Sequence, residues 1–385
     1  MSETPHRSVP LFDLKLEAQD IEAVTETLQS GWLTMGPRTQ ELEEAFADQL
    51  GSRHAVALSS GTAALHLAYK AAGIGPGDEV IVPSFTFVAT ANGVLYCGGQ
   101  PVFADIIGLE NPSIDPADVE RKITPPTRAV AAVHFGGYPA AVDVLAELCR
   151  DRGLALIEDA AHAPSAQLDG RKLGTFGLAG AFSLFSNKVL SVGEGGLLAT
   201  DDDDVATRVR QLRSHAMTST TWDRHRGHAL SYDVVDIGFN YRLDEPRAAL
   251  ALARMTRLEP EIARRRELTM LYRERLAELP DIIVPYTAED VARSSCYVMP
   301  IMLREPERRA GLCQVMRAEH HVQTSILYPA VHEFSAYRER FPGVSLPHTE
   351  LAARSELTIP LYPHMTESEQ EQVLEAIVHG LAATK

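Results

Sequence analysis

Cysteine is scarce in this chain, which has only four in 385 residues and no CxxC pair. This scarcity excludes the disulfide framework of small secreted proteins and a cysteine-rich metal site. The adjacent histidines His320 and His321 point apart at the predicted end of a helix, and no further ligands cluster with them in sequence. We therefore predict no bound metal, and we expect reduced thiols at Cys97, Cys149, Cys296 and Cys313.

Long apolar runs are absent as well. The sequence contains no stretch of about 18 apolar residues, which is the length that a transmembrane helix needs. The segment Met1–Pro10 is polar and lacks the apolar part of a signal peptide. We therefore expect a cytoplasmic protein with no membrane partner.

Positive charge is in deficit, because 36 lysines and arginines stand against 52 aspartates and glutamates, for a net charge of −16. A chain this acidic is a poor match for nucleic acid or for an anionic membrane surface. To bind a phosphorylated ligand, the protein needs local hydrogen-bond donors and positive charges that overcome the repulsion from its net negative charge. Helix N-termini and a few basic side chains would supply them.

The length of the chain predicts two domains, since it exceeds what one ordinary core accommodates. From Ala55 to Thr200, apolar β-type runs alternate with helical patterns, which is typical of an α/β domain with a mostly parallel sheet. After Asp281 the pattern changes to that of a smaller α+β domain. We place the large domain, with an N-terminal arm, at residues 1–250 and the small domain at residues 251–385.

Four further segments carry local predictions. The range Glu245–Leu279 has a helical pattern in which Pro260 requires a break or kink. The range Gln323–Tyr328 is predicted as a strand, and the polar range Ser214–Asp233 as a long loop. The T-x-x-E pattern of Thr366–Glu369 predicts a capping box at the start of the last helix.

Three polar side chains near the ends of predicted strands point to a cofactor. Asp159 follows the apolar strand Leu154–Glu158, and Ser183 lies near the end of another strand. Lys188 lies between that strand and the glycine-rich turn Gly193–Gly196. A carboxylate can keep a pyridine nitrogen protonated, and an amine can form a Schiff base with an aldehyde. The combination predicts a pyridoxal phosphate (PLP) site in which Lys188 forms the Schiff base.

Other residues could complete this site. Gly61 and Thr62 lie at a strand-to-helix turn, where unpaired backbone N–H groups and a hydroxyl favour an anion such as phosphate. Asn187 could add a further donor. Phe87 could lie against the cofactor ring or belong to the core, and His162 could contact the ring or be a structural histidine.

The polar segment Trp222–His228 contains two arginines, Arg224 and Arg226. Guanidinium groups match the geometry of phosphate oxygens, so the segment could bind a diphosphate. A solvated loop with no ligand is the alternative. The sequence alone does not decide between these two interpretations.

Taken together, these blocks resemble the DegT/StrS family of PLP-dependent sugar aminotransferases. The resemblance covers nearly the whole chain and implies the α/β architecture of fold type I, with a mostly parallel seven-stranded sheet flanked by helices and a smaller α+β C-terminal domain. The blocks are Ser30–Pro37, Ser60–Leu65, Pro83–Phe87, Glu158–His162, Ser183, Asn187–Lys188, Gly193–Gly196, Gly238–Arg242 and Pro360–Thr366.

The resemblance also implies a role for individual positions. Lys188 would be the Schiff-base lysine and proton carrier, Asp159 would pair with the pyridine nitrogen, and His162 would lie at the ring. Asn240 would reach the cofactor phosphate of a second subunit, which implies a homodimer with shared active sites. The residues expected around phosphate and ring are Gly61, Thr62, Ala63, Phe87, Ser183 and Asn187. The candidate substrate contacts are Arg224, Arg226, Tyr328 and His332.

The implied reaction moves an amino group from glutamate or glutamine to a nucleotide-linked keto-deoxysugar, most simply a 4-keto-6-deoxyhexose. A sugar 3-dehydratase on the same scaffold is set aside, because there a histidine replaces the Schiff-base lysine and Lys188 is present here. Two alternatives stay open at this point. One is an aminotransferase for a keto-cyclitol, and the other is a regulatory protein that binds PLP without turnover.

Overall fold

The computed structural model describes residues 8–219, 221–227 and 231–384. The helices are α1 (Ala18–Gln29), α2 (Pro37–Leu50), α3 (Gly61–Ala71), α4 (Ala89–Tyr96), α5 (Pro116–Lys122), α6 (Val142–Arg152), α7 (Asp203–Leu212), α8 (Thr221–His225), α9 (Glu245–Met255), α10 (Leu258–Leu276), α11 (Ala288–Arg293), α12 (Arg309–Ala318), α13 (Ser335–Arg340), α14 (Pro347–Ser355) and α15 (Glu367–Ala383). The strands are β1 (His54–Leu58), β2 (Glu79–Pro83), β3 (Gln100–Ala104), β4 (Thr127–Val133), β5 (Ala155–Asp159), β6 (Gln167–Leu168), β7 (Arg171–Lys172), β8 (Ala179–Ser183), β9 (Gly196–Thr200), β10 (Ile282–Ile283), β11 (Met299–Leu303) and β12 (Glu356–Ile359).

Within the described ranges, no helix has both the length and the apolar content that crossing a bilayer requires.

The main sheet has seven strands in the order β1-β9-β8-β5-β4-β2-β3. Strand β9 runs antiparallel to both of its neighbours, and the other adjacent pairs are parallel. The mostly parallel sheet predicted from the sequence is thereby confirmed. Its strands are apolar and buried, as expected for a sheet covered by helices on both faces. The carboxyl ends of β1, β2, β5 and β8 all meet at one edge of this sheet, which is where ligands bind in open α/β folds.

A second, antiparallel sheet of three strands, β10-β11-β12, lies in the C-terminal part of the chain. It packs in an apolar cluster in which Leu268 and Tyr272 of α10 lie with Ile301 of β11, and which extends to Phe135 after β4. Thr366 and Glu369 form the predicted capping box at the start of α15. The division between residues 250 and 251 stays a prediction; it falls inside α9, which packs against α1 and α2.

Two local predictions are corrected or refined by the structure. The predicted strand Gln323–Tyr328 is wrong. Within this range only Ser325 forms a β-bridge, to Thr358, and the bridge does not continue into a ladder. The backbone N–H of Leu327 donates instead to the carboxylate of Glu356, at 2.7 Å. The predicted break in the range Glu245–Leu279 is confirmed; it falls between α9 and α10, so that Pro260 sits in the first turn of α10, where proline is tolerated.

The antiparallel strand β9 holds the turn between β1 and α3 against β8. Gly196 opens β9, and a Cβ atom added there would lie 2.6 Å from the backbone nitrogen of Gly61. A Cβ atom on Gly61 would in turn approach the Cβ of Ser183 to 3.0 Å. Both positions therefore require glycine for close packing, and this packing brings the start of α3 next to the end of β8.

We predict that Gly196→Ala lowers the free energy of unfolding by about 1–3 kcal/mol, because the added methyl group overpacks a backbone contact that cannot yield. The matched control is Gly108→Ala, where the nearest atom to the added Cβ, a Glu110 carboxylate oxygen, is 3.8 Å away. That control should change stability by no more than about 0.5 kcal/mol. Urea unfolding of both variants measures the difference, and equal stability of the two would contradict the packing argument.

Candidate active site

A cavity of about 360 Å³ opens at the carboxyl edge of the main sheet. Strand ends from the large sheet form its floor, and residues of the C-terminal part close one side. Its lining residues are Ser60, Gly61, Thr62, Leu65, Thr86, Phe87, Ala89, Val133, Asp159, Ala161, His162, Ser183, Phe185, Asn187, Lys188, Glu194, Gly195, Tyr297, Leu327 and Tyr328. The predicted acid, amine and anion-binding turn thus face one space.

Asp159 is the last residue of β5 and is buried at the floor of the cavity. The hydroxyl of Thr90, on α4, donates to its Oδ2 at 2.7 Å, and the backbone N–H of Ala161 donates to Oδ1 at 3.2 Å. Burial raises the pKa of Asp159, while these two hydrogen bonds and the nearby Lys188 act in the opposite direction. The carboxylate is therefore fixed in orientation and has few competing partners.

Lys188 lies in the segment that connects β8 to β9. Its backbone N–H donates to the carbonyl of Phe185 at 2.8 Å, and Phe185 bridges Gly193, which closes the connection into a compact loop. The Nζ atom lies 4.3 Å from the centre of the Tyr297 ring. Burial lowers the pKa of Lys188 to about 7, although the Asp159 carboxylate favours the charged form. The amine is thus available in its neutral, nucleophilic form near neutral pH.

His162 is buried between two tyrosines on one wall of the cavity. Its Nδ1 accepts the backbone N–H of Gly136 at 3.3 Å, and its Nε2 lies 3.1 Å from the hydroxyl of Tyr328. Its ring stacks on Tyr297 with a centroid distance of 4.4 Å. Burial holds the pKa of His162 well below its usual value, so the ring is neutral. Since Nδ1 is an acceptor, we infer that the proton lies on Nε2 and is donated to the oxygen of Tyr328.

The start of α3 offers unpaired donors to the cavity. The Oγ of Ser60 caps this helix by accepting the N–H of Ala63 at 3.1 Å, and the first intrahelical bond is that of Ala64 to the Ser60 carbonyl. The N–H groups of Gly61 and Thr62 precede that bond. Ala63, which the resemblance placed at the phosphate, uses its N–H for the cap and does not line the cavity.

Two further polar side chains of the cavity have hydrogen-bonding capacity left for a ligand. The Oδ1 of Asn187 is an acceptor that is buried without a partner among the described residues, and the Ser183 hydroxyl, whose Oγ accepts the N–H of Phe185, keeps its proton for a ligand. Phe87 lines the mouth of the cavity and is 54% exposed, which leaves its ring free to cover a ligand. The cavity therefore holds an amine, a buried carboxylate, an aromatic wall and an anion-binding helix start.

Three of the predicted residues lie away from this cavity in the same chain. Asn240 is exposed and its backbone bridges Ser214. Arg224 donates to the carbonyl of Ser219 at 2.9 Å. The guanidinium of Arg226 lies over the Trp222 ring at 5.8 Å. If these side chains serve an active site, it is that of another subunit.

His332 is not placed at the cavity either, in contrast to its expected role in substrate binding. Its ring is buried, Nδ1 lies 2.7 Å from the Oγ of Ser84, and Nε2 lies 3.5 Å from a carboxylate oxygen of Glu350. Ser84 follows β2, so this network ties the C-terminal part of the chain to the main sheet. Tyr328, the other candidate from this region, does line the cavity.

Comparison with known proteins agrees with the geometry of the cavity. The model of the DegT/DnrJ/EryC1/StrS aminotransferase family matches residues 14–378. The chain belongs to this family. Its members are PLP-dependent aminotransferases, and one solved relative contains the cofactor as pyridoxamine phosphate.

Three relatives of this aminotransferase are informative. The spore coat polysaccharide biosynthesis protein SpsC of Bacillus subtilis is 38% identical over 368 residues, which is 93% of each chain. The aminotransferase TlmJ from Streptoalloteichus hindustanus has a TM-score of 0.90 and 33% identity, covering 98% of this chain and 100% of its own. DesI, solved in the presence of its TDP-sugar product, has a TM-score of 0.85 and 33% identity, covering 96% of this chain and 91% of its own.

Two side chains of the aminotransferase site were missed by sequence reasoning. Thr90, which orients Asp159, lies in a helix with no motif that distinguishes it. Tyr297 precedes β11 and reaches the site only because the C-terminal part folds back onto the main sheet. Its backbone N–H donates to the carbonyl of Gly136 at 2.9 Å, which fixes this approach. No local signal in the sequence could have identified either residue.

The lowered pKa of Lys188 predicts how the cofactor-free aminotransferase loads PLP. The rate of adduct formation should rise as pH increases through about 7 and level off above it, because the neutral amine is the reacting form. A lysine with the ordinary pKa of about 10.4 would keep accelerating up to that pH. Stopped-flow absorbance measures the rate, and borohydride trapping with peptide mapping identifies the lysine.

The same measurement on Asp159→Asn tests the opposing effect of the Asp159 charge on the pKa of Lys188. The Asp159 charge favours protonated Lys188, so its removal should move the midpoint to lower pH. A wild-type rate that still climbs at about pH 10 would contradict a buried, neutral amine. A trapped adduct on a lysine other than Lys188 would contradict the assignment of the residue itself.

Proposed function

We propose that the chain transfers the amino group of glutamate or glutamine to the C4 carbonyl of a nucleotide-linked 4-keto-6-deoxyhexose. The observation that carries the transaminase part is the convergence of Lys188, Asp159 and the start of α3 on one cavity. The sugar-nucleotide part rests on similarity to DesI, which was solved with a TDP-sugar product. We further propose a cytoplasmic location, which agrees with four unpaired cysteines.

When bound, PLP supplies an aldehyde that accepts an amino group and a pyridinium ring that withdraws electrons from the reacting carbon. Asp159 holds a proton at the ring nitrogen, and Thr90 keeps that carboxylate in position. The N–H groups of Gly61 and Thr62 bind the phosphate, together with Ser183 and Asn187. These contacts orient the cofactor relative to Lys188.

Lys188 would hold the cofactor through its Nζ and would be the proton carrier. In its neutral form that Nζ can accept a proton from the amino-bearing carbon of the donor. The Tyr297 ring, 4.3 Å away, favours the ammonium that results. His162 and Tyr328 form a neutral, hydrogen-bonded wall that orients the ring without adding charge.

The function is tested by separating the two half-reactions. Donor glutamate should convert the PLP form to the pyridoxamine form, and the TDP-linked 4-keto-6-deoxyhexose should reverse the change with formation of a 4-amino sugar. Asp159→Asn should slow both half-reactions about a hundredfold or more, since the neutral amide cannot keep the ring nitrogen protonated. Absorbance of the cofactor and mass spectrometry of the sugar measure these steps.

The exposed control Asp143→Asn should leave both rates unchanged. Efficient conversion of an unphosphorylated keto-cyclitol would overturn the sugar-nucleotide assignment and leave the transaminase. Cofactor binding without either half-reaction would favour the regulatory alternative. Near-normal rates in Asp159→Asn would remove that residue from the mechanism.

We also propose that two copies of the chain share each active site. The mouth of the cavity is flanked by the exposed rings of Phe87 and Phe185. A second exposed apolar surface, residues 232–237, includes Ile237, which is 85% exposed, and it precedes Asn240. An apolar surface of this kind marks an interface with another protein chain. In the dimer, Asn240 binds the cofactor phosphate of the partner, and Arg224 and Arg226 lie near the diphosphate of the substrate.

Subunit mixing tests the shared site. Lys188→Ala and Asn240→Ala homodimers should each be inactive or nearly so, and their exchange should restore activity, because one of the two hybrid sites keeps both residues. Random exchange makes about half of the dimers hybrids, and each hybrid has one intact site of two. The expected recovery is therefore about a quarter of the wild-type activity.

Mass spectrometry of differently tagged subunits confirms that exchange has occurred. Mixing each variant with itself is the matched control and should restore nothing. Confirmed exchange without recovery would mean that Asn240 serves its own subunit or no site. A monomeric wild-type protein at assay concentration, measured by light scattering, would overturn the dimer.

A further inference from the structure

A second cavity, of about 320 Å³, lies on the other side of the segment that carries the lysine. Its walls are the N-terminal segment 12–17, the segment 186–189 and the arginines of α9 and α10. Asn187 and Lys188 belong to the lining of both cavities. A ligand in this second cavity would therefore lie directly behind the proposed catalytic lysine.

Three arginines of the second cavity, Arg254, Arg257 and Arg265, lie near two carboxylates, those of Asp20 and Glu261. Arg257 pairs with Asp20 at 2.8 Å and with Glu261 at 2.9 Å. Arg254 approaches the same Glu261 at 3.5 Å. Arg265 has no carboxylate within ion-pair distance among the described residues. Arg265 is thus the one of these three arginines that has no carboxylate partner in the described part of the chain.

Arg265 is only 5% exposed, and its described partners are neutral. Its Nη1 donates to the carbonyls of Tyr297 and Leu361, at 3.3 and 3.1 Å, and its Nε has no partner in the described part of the chain. Burial lowers its pKa to about 10. The Nε and Nη1 of Arg254 are likewise buried without a partner in that part. A buried guanidinium in such surroundings is costly unless an anion joins it.

The other charged side chains that line the cavity lie within ion-pair distance of residues other than Arg265. These pairs are Asp13 with His364 at 2.9 Å, Lys15 with Glu17 at 3.5 Å, and Arg264 with Glu267 at 2.9 Å.

We propose that this second cavity binds a small carboxylate anion through Arg254 and Arg265. The planar guanidinium matches a carboxylate in shape and charge, and a single carboxylate would give the buried Arg265 the anionic partner that it lacks among the described residues. The carbonyl that Arg265 holds belongs to Tyr297, whose ring contacts Lys188 Nζ. The bound anion would therefore influence the position of the lysine. Its source is the amino donor, which rests on the proposed function, or a separate carboxylate of the same chemistry.

The experiment measures binding of glutarate, a dicarboxylate without an amino group, to the PLP-loaded enzyme by calorimetry. Arg265→Gln and Arg254→Gln should each weaken glutarate binding about tenfold or more, as expected for loss of a charge-assisted hydrogen bond. Arg265→Lys, which keeps the charge, should weaken it less. The matched control is Arg264→Gln, which removes an arginine of the same cavity that is already paired with Glu267. Circular dichroism confirms folding.

Two outcomes support the site and distinguish its sources. Competition of glutarate with glutamate in the donor half-reaction assigns the cavity to the donor, and binding without competition assigns it to a separate carboxylate. Absence of glutarate binding to the wild type overturns the proposal, and so does an affinity within twofold of wild type in folded Arg254→Gln or Arg265→Gln. If neither of these two variants folds, Arg254→Met and Arg265→Met, which also remove the charge, decide by the same criterion. Because glutarate cannot be transaminated, this result is independent of whether the chain transfers amino groups.

Discussion

The buried carboxylate of Asp159 is the constraint on which the rest of the active site depends. A carboxylate that is buried at the end of a strand loses its hydration. It therefore needs hydrogen-bond donors and a cationic partner to compensate. Thr90 and the backbone of Ala161 supply the donors. In the function that we propose, the pyridinium nitrogen of the family's cofactor would be that cationic partner, and Lys188 would lie at the cofactor aldehyde.

Burial acts in opposite directions on the two titratable groups that carry the chemistry. It raises the pKa of Asp159 and lowers that of Lys188 to about 7. A neutral amine and a carboxylate that needs a cationic partner are what transamination requires at neutral pH. Loss of hydration at the floor of the cavity produces both shifts. Packing of the two sheets is thus part of the chemistry as well as of stability.

Local sequence patterns were a good guide wherever local physics decides structure. The mostly parallel sheet predicted from the alternating apolar runs and helical patterns between Ala55 and Thr200 is the sheet that the structure shows, because each strand is an apolar run between turn residues. The capping box at Thr366 was confirmed for the same reason. The strand predicted at Gln323–Tyr328 was wrong, because the Glu356 side chain takes the Leu327 N–H that a ladder would need.

The sequence by itself determined the mostly parallel sheet and the order of polar residues at its strand ends, since periodicity and turn chemistry act over a few residues. It also placed Asp159, Lys188 and the start of α3 at one edge, because the ends of parallel strands meet there. Only the tertiary structure decided that Tyr297 lies over the lysine and that His332 is locked against Ser84. Those contacts join residues more than a hundred positions apart, and their geometry depends on how two separately patterned sheets pack together.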